Sequence, residues 1–391
     1  VPILAAVSGI PEMDTKAALS SVADPIIFIF FGGFALATAL HMQRLDRKIA
    51  LWLISLSRGN MKIAVLAIFG VTAFLSMWIS NTATAAMMLP LALGMMDHLD
   101  REKERKTFVF VLLGIAYCAS IGGLGTIVGS PPNAIAAKAL ELDFVGWMKM
   151  GLPMMLLILP LMLISLYIIL RPNLSERVEV KEEHIPWTLH RVLAMLIFLC
   201  AVVAWILGDK IKTVFGITNP DTVVALAAAV AVVVFGVTRW KEIARNTDWG
   251  VLLLFGGGIA LSTLLQKSGA SLALGQQLAT AFVLAHPLIV ILAVAAFIIF
   301  LTEFTSNTAS AALLVPIFAS IATQMGLPKE VLVFVIGIGA SCAFMLPVAT
   351  PPNAIVFGTG LIKQREMMRV GILLNILCIF LVGFWAYVMF V

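Results

Sequence analysis

Long apolar runs dominate the chain, and the few polar positions that interrupt them carry its pattern. Between Ile63 and Met96 two apolar arms flank the polar centre Ser80-Asn81-Thr82-Ala83-Thr84. Each arm has about 12 to 17 residues, short of the roughly 20 that a helix needs to cross a bilayer. Two short arms and a polar tip predict a re-entrant helical hairpin whose tip stops at membrane depth, against protein or a water-filled cavity. The stretch occurs twice. Phe74-Leu75-Ser76-Met77-Trp78-Ile79-Ser80-Asn81-Thr82 is echoed by Phe300-Leu301-Thr302-Glu303-Phe304-Thr305-Ser306-Asn307-Thr308.

The other elements recur in the same order. Pro25–Leu40 reads as a membrane segment with Phe31-Gly32-Gly33, matched in Trp249–Leu265 by Phe255-Gly256-Gly257. A short apolar stretch follows each, Ile49–Leu56 and Lys267–Phe282, and both read as interfacial helices. After each hairpin comes a segment broken by glycine and paired prolines, Gly129-Ser130-Pro131-Pro132-Asn133 and Ala349-Thr350-Pro351-Pro352-Asn353, where a regular helix cannot continue. Met150–Leu170 and Ile372–Phe390 are the closing spans, and Val192–Leu207 and Thr222–Val237 are two further spans in the second half. Residues 1–170 therefore form one repeat, 171–191 a cytoplasmic linker and 192–391 a second repeat. With the connectors 41–62, 97–106, 171–191, 239–248 and 363–369 on one face, 19 of the 26 Lys and Arg lie there and 7 on the other. Counting crossings, the two halves run in opposite directions, and the asymmetry supports this trace with the richer face cytoplasmic.

Composition agrees with this trace. The 391 residues are 61% hydrophobic and 12% charged, with mean hydropathy +1.05, which is outside the range of soluble proteins. The net charge of +5 sits in short loops, where it serves orientation and gives no reason to expect nucleic acid. Cys118, Cys200, Cys342 and Cys378 lie within apolar runs and read as small core residues. The five histidines (His41, His98, His184, His190, His286) lie in connectors without metal-ligand spacing. The chain opens on Val1, and the first half has only Val1–Ile10 where the second has two long apolar runs. One or two membrane segments are accordingly expected ahead of the first repeat.

The fold class expected is thus an all-α polytopic membrane protein of two inverted repeats, each with a re-entrant hairpin and a broken transmembrane helix. Interrupted helices in inverted repeats are the pattern of a secondary transporter with its site at the midplane. The interruptions supply hydroxyls, carboxamides and unpaired backbone groups, with no fixed charge. Helix restarts at Ala83, Ala134, Ala309 and Ala354 would aim free N–H groups at an anion. Unwound carbonyls with Asn and Ser/Thr oxygens would suit a small hard cation such as Na⁺. A cation beside the anion also supplies the positive charge that no Lys or Arg provides there. An enzyme would need a nucleophile with a base or a metal cluster, and the midplane segments hold no His or Asp and only Glu303. For Glu303 itself, a functional group and a hydrogen-bonded structural residue are both open readings.

The paired Ser-Asn-Thr tips with the paired Pro-Pro-Asn segments resemble the divalent anion/sodium symporter family over essentially the whole chain, most closely its bacterial INDY-type dicarboxylate carriers. The resemblance implies an elevator-type homodimer, multi-pass in a bacterial inner membrane, that imports C4 dicarboxylates with Na⁺. It implies substrate contacts from Asn81, Thr82, Ser130, Ser306, Asn307, Thr308, Thr350 and Pro352. It implies one Na⁺ site on Ser76, Ser80, Asn81 and Gly129, and a second on Thr302, Thr305, Asn307 and Ala349. The interruptions fall in two segments of each half, so a moving block of about 61–145 and 287–360 is expected. Two readings compete within transport, an inorganic dianion such as sulfate and a sodium-independent exchanger.

Overall fold

The computed structural model of the chain describes residues 3, 6–10, 14–178, 183, 185–270, 272, 273, 276, 277 and 286–391. Among them the only regular elements are helices, with one isolated antiparallel bridge, Asn60 to Arg177. In the first half α1 (Thr15–Ser20) and α2 (Pro25–Met42) lead to a short helix, α3 (Leu45–Ser55). The first hairpin is α4 (Met61–Ser76) with α5 (Asn81–Met95). Next, α6 (Arg105–Gly122) runs into two 3₁₀ turns (Gly123–Gly125, Ile127–Gly129) and restarts as α7 (Pro131–Ala139), and α8 (Phe144–Leu170) closes the half.

The second half opens with α9 (Leu189–Ile206), α10 (Gly208–Phe215), α11 (Pro220–Val234) and α12 (Trp240–Asn246). It then repeats the order: α13 (Trp249–Lys267), the hairpin α14 (Pro287–Leu301) with α15 (Asn307–Gln324), α16 (Lys329–Gly339), α17 (Pro351–Phe357) and α18 (Gln364–Phe390). Half of the interfacial stretch expected over Lys267–Phe282 lies outside the described residues. Helix α10 was not legible in the pattern; it is short, and it bends by 97° into α11.

Six helical stretches among the described residues are long and apolar enough to cross a membrane: Thr15–Met42, Arg105–Gly125, Phe144–Leu170, Leu189–Ile206, Trp249–Lys267 and Gln364–Phe390. The protein is a multi-pass integral membrane protein. The four hairpin arms have 16, 15, 15 and 18 residues, below the roughly 20 of a spanning helix. Each hairpin turns by a helix stop and a capped restart. Ser80 and Ser306 are N-caps, with their Oγ accepting from Ala83 N at 3.3 Å and Ala309 N at 3.4 Å.

Lipid gives apolar helices no hydrophobic reason to associate, so close packing of small residues does that work. Helix α2 meets α11 in this way: a Cβ at Gly32 would lie 2.5 Å from Ala225 O, a clash only glycine avoids. At the centre stands α6, buried throughout from Thr107 to Gly122 and packed against α4, α5, α8 and α17. A row of aromatic rings ties the first hairpin to the second half. Trp78 stacks on Phe144 (6.1 Å between centroids), which stacks on Trp205 of α9 (4.7 Å).

Candidate functional site

The first interruption gathers oxygens around one carboxamide. Ser76 Oγ donates to Ala119 O at 2.6 Å. With its amide nitrogen facing inward, Asn81 donates to Ser76 Oγ (2.7 Å), Ala119 O (3.0 Å) and Gly129 O (3.2 Å). Half a turn of the amide puts Asn81 Oδ1 among those same three oxygens. A small hard cation binds such an all-oxygen set, and the amide N–H satisfies it when no cation is there. Glycine is required beside it: a Cβ at Gly129 would stand 2.5 Å from Gly123 O and 3.0 Å from Ser76 O. If this set is where Na⁺ binds, as proposed below, Gly129→Ala raises the Na⁺ concentration for half-maximal stabilisation against heat at least about tenfold, about 1.4 kcal/mol. An unshifted Na⁺ titration would speak against a cation at this set.

The expected restarts need correction. Helices α5, α7, α15 and α17 begin at Asn81, Pro131, Asn307 and Pro351, two or three residues before the alanines, because proline and asparagine are accepted in a capped first turn. This changes what each restart offers. Proline carries no N–H. The next donors are already used: Asn133 N bonds Ser130 O at 3.1 Å, and Asn353 N bonds Thr350 Oγ1 at 3.3 Å. The free first-turn donors are thus those of the hairpin tips, Asn81–Thr82 and Asn307–Thr308. The Pro-Pro-Asn segments contribute carbonyls and hydroxyls instead.

The two asparagines of those segments do the same work in each half. Asn133 Nδ2 donates to Gly123 O and Thr126 O, both at 2.7 Å. Asn353 Nδ2 donates to Ala343 O (3.2 Å) and Leu346 O (3.0 Å), the equivalent carbonyls of the second repeat. Each amide staples the unwound backbone that precedes it.

Glu303 resolves into a structural role with a precise geometry. Its Oε1 accepts from Phe344 N (2.8 Å), Met345 N (2.9 Å) and Asn375 Nδ2 (2.7 Å), and its Oε2 from Leu346 N (3.0 Å). The carboxylate holds three successive N–H groups that the break after α16 leaves without helical partners. In the first half the matching residue is Met77, and there Thr126 Oγ1 donates to Met77 O. Both halves join hairpin to unwound segment, one with a charge and one without.

The remaining candidates divide. Ser130 Oγ lies 3.3 Å from Ser341 Oγ, and Tyr117 donates to Phe344 O at 2.7 Å, so the halves meet at the site. Ser80, Ser306 and Thr350 act as caps, Thr308 and Pro352 are buried, and Thr82 is exposed. The second cation set is less assembled. Thr302 Oγ1 donates to Ile298 O and Ile299 O, Thr305 Oγ1 bonds Leu301 O and Ser310 Oγ, and Asn307 Oδ1 is buried without a partner. No hydrogen bond among the described residues joins these side chains to Ala349. Sequence reasoning missed Ala119 and Ser341, and also Asn375, whose signal is a lone carboxamide inside an apolar span. A cavity of about 610 Å³ leads from Ser80 and Met87 past Thr38 to His41, Arg44 and Arg47.

Residues 1–339 match the model of the citrate transporter family. The chain belongs to that family. A sodium-dependent dicarboxylate transporter, SdcS of Staphylococcus saprophyticus, is 34% identical over 93% of this chain and 76% of its own length. An uncharacterised transporter of Haemophilus influenzae is 55% identical over 99% of this chain and 85% of its own. The solved structure of MtrF, an antimetabolite efflux pump of Neisseria gonorrhoeae, is similar in fold, with a TM-score of 0.63 at 14% identity over 98% of this chain and 86% of that one. Family members and structural neighbour alike are transporters, not enzymes.

Proposed function

We propose that the protein is a secondary active transporter that carries C4 dicarboxylates of the succinate, malate and fumarate kind together with Na⁺. The observation that carries this reading is the oxygen set of Ser76, Ala119 and Gly129 around Asn81, directly beside the free donors of the hairpin tip. Na⁺ is cargo in this scheme, held by Ser76, Ser80, Asn81 and Gly129 and, in the other half, by Thr302, Thr305, Asn307 and Ala349. The anion rests on Asn81, Thr82, Asn307 and Thr308, with Ser130, Ser306, Thr350 and Pro352 shaping the pocket. The two cargoes support one another: opposite unit charges about 4 Å apart attract by about 4 kcal/mol at an effective dielectric near 20. The sodium-dependent dicarboxylate relatives agree with this chemistry.

In this reading the repeats are inverted, and the block of about 61–145 and 287–360 moves against the remaining helices in an elevator-type homodimer. Labelled succinate uptake into proteoliposomes, with and without an inward Na⁺ gradient, tests it, with sulfate and citrate as competitors. Na⁺-dependent uptake indifferent to sulfate is expected. Uptake driven only by internal succinate would mean an exchanger, and dominance by sulfate or citrate would overturn the substrate.

A further inference from the structure

At the basic end of the 610 Å³ cavity, two arginines already hold a carboxylate. Glu183 of the linker bridges them, with Oε1 2.5 Å from Arg44 Nη2 and Oε2 2.6 Å from Arg47 Nη2. Both guanidiniums line the cavity whose inner end is Ser80. Arg47 is placed by a buried neighbour: Asp46, 3% exposed, accepts from Arg47 N at 2.7 Å and pairs with His41 Nδ1 at 2.9 Å. Arg44 sits in the left-handed region (φ 56°, ψ 26°) at the start of α3, a conformation that a non-glycine residue rarely adopts and that marks a constrained position. Further cations hold residues 185–191 beside this mouth. Lys48 donates to Ile185 O and stands 4.7 Å from the Trp187 ring centroid, and Arg191 donates to Gln43 O and Pro186 O. Among the described residues around the mouth, Arg44, Arg47, Lys48 and Arg191 thus face two carboxylates, Asp46 and Glu183.

We propose that Arg44 and Arg47 form a second carboxylate site at the cavity mouth, and that Glu183 occupies it as a tethered competitor. The guanidinium fork matches a carboxylate from solution as well as it matches Glu183. Glu183 is 31% exposed, and the two arginines are 49% and 44% exposed, so the bridge is screened and displaceable. A dicarboxylate passing between Ser80 and bulk water meets this pair on the way, and displaces Glu183 when its concentration is high. The ligand class follows from the transport reading above. The site itself is expected to be independent of Na⁺, since among the described residues no oxygen set of the kind found at Asn81 contributes to it.

The test separates the two sites. In the Asn81→Ala/Asn307→Ala background, in neutral-lipid nanodiscs without Na⁺, line broadening of ¹³C-labelled succinate reports residual binding. The expected result is weak, salt-sensitive, saturable binding that Arg44→Gln/Arg47→Gln removes and Glu183→Gln strengthens about five- to tenfold. Arg44→Lys/Arg47→Lys should keep part of it, which separates loss of charge from misfolding. No binding in this background, or binding indifferent to the arginine and Glu183 changes, overturns the proposal. Binding that disappears when anionic lipid is added would assign the pair to a lipid headgroup and overturn it as a site for soluble carboxylates. Mouth binding with no Na⁺-dependent uptake by the unaltered protein would leave this site standing and sink the transport reading.

Discussion

Glu303→Ala should lower the stability of the protein by about 3–5 kcal/mol, the largest effect expected of any single substitution within the two hairpins. The change leaves the N–H groups of Phe344, Met345 and Leu346 and the amide of Asn375 without their acceptor, with Phe344 and Asn375 buried and Met345 and Leu346 half-buried. A buried donor left unpaired costs about 1–3 kcal/mol, and four that share one acceptor do not add fully. Glu303→Gln keeps a single amide oxygen and should fall between the unaltered protein and Glu303→Ala, with a loss of about 1–3 kcal/mol. Thermal unfolding in detergent or nanodiscs reads both. An unchanged midpoint in Glu303→Ala, with only ion dependence altered, would show that the carboxylate serves the cation and not the backbone.

Asn81→Ala and Asn307→Ala should each lower succinate transport about 10²-fold at fixed Na⁺, and each should also raise the Na⁺ concentration required. One side chain is assigned to both cargoes, and losing it at about 3 kcal/mol corresponds to that factor. The structure makes Asn81 the sharper case, because its amide already reaches Ser76 Oγ, Ala119 O and Gly129 O. Initial rates over a grid of succinate and Na⁺ concentrations measure both dependences. A variant that loses one dependence and keeps the other would break the shared assignment at that asparagine.

What the sequence made legible was local. The hairpins could be placed because a polar Ser-Asn-Thr tip stands, in each half, between two apolar arms too short to span. The broken helices were evident because glycine and paired prolines exclude a continuous ladder. The missing parts are contacts across long separations. Glu303 meets backbone 41 to 43 residues away and Asn375 72 residues away, and nothing in the local pattern pairs them. Ala119 enters the oxygen set through its carbonyl, which any residue would supply, so its identity carries no signal. The roles of the Pro-Pro-Asn segments were misread for a related reason. Their helix starts resemble those of the hairpins in sequence, yet proline lacks the donor and the following asparagine has already spent its own.

The staples at Asn133 and Asn353 have a thermal consequence. Fixing one backbone residue costs about 1–2 kcal/mol of conformational entropy, and a loop ordered by its cargo charges that cost to binding. Here both unwound segments are held by their own side chains before any cargo arrives, the second also by Glu303. Binding to such a preordered site should show little change in heat capacity, since little apolar surface folds away with the ligand. The binding enthalpy would then be nearly the same in a cold and a warm cell, so affinity would follow a straight van 't Hoff line instead of a curved one.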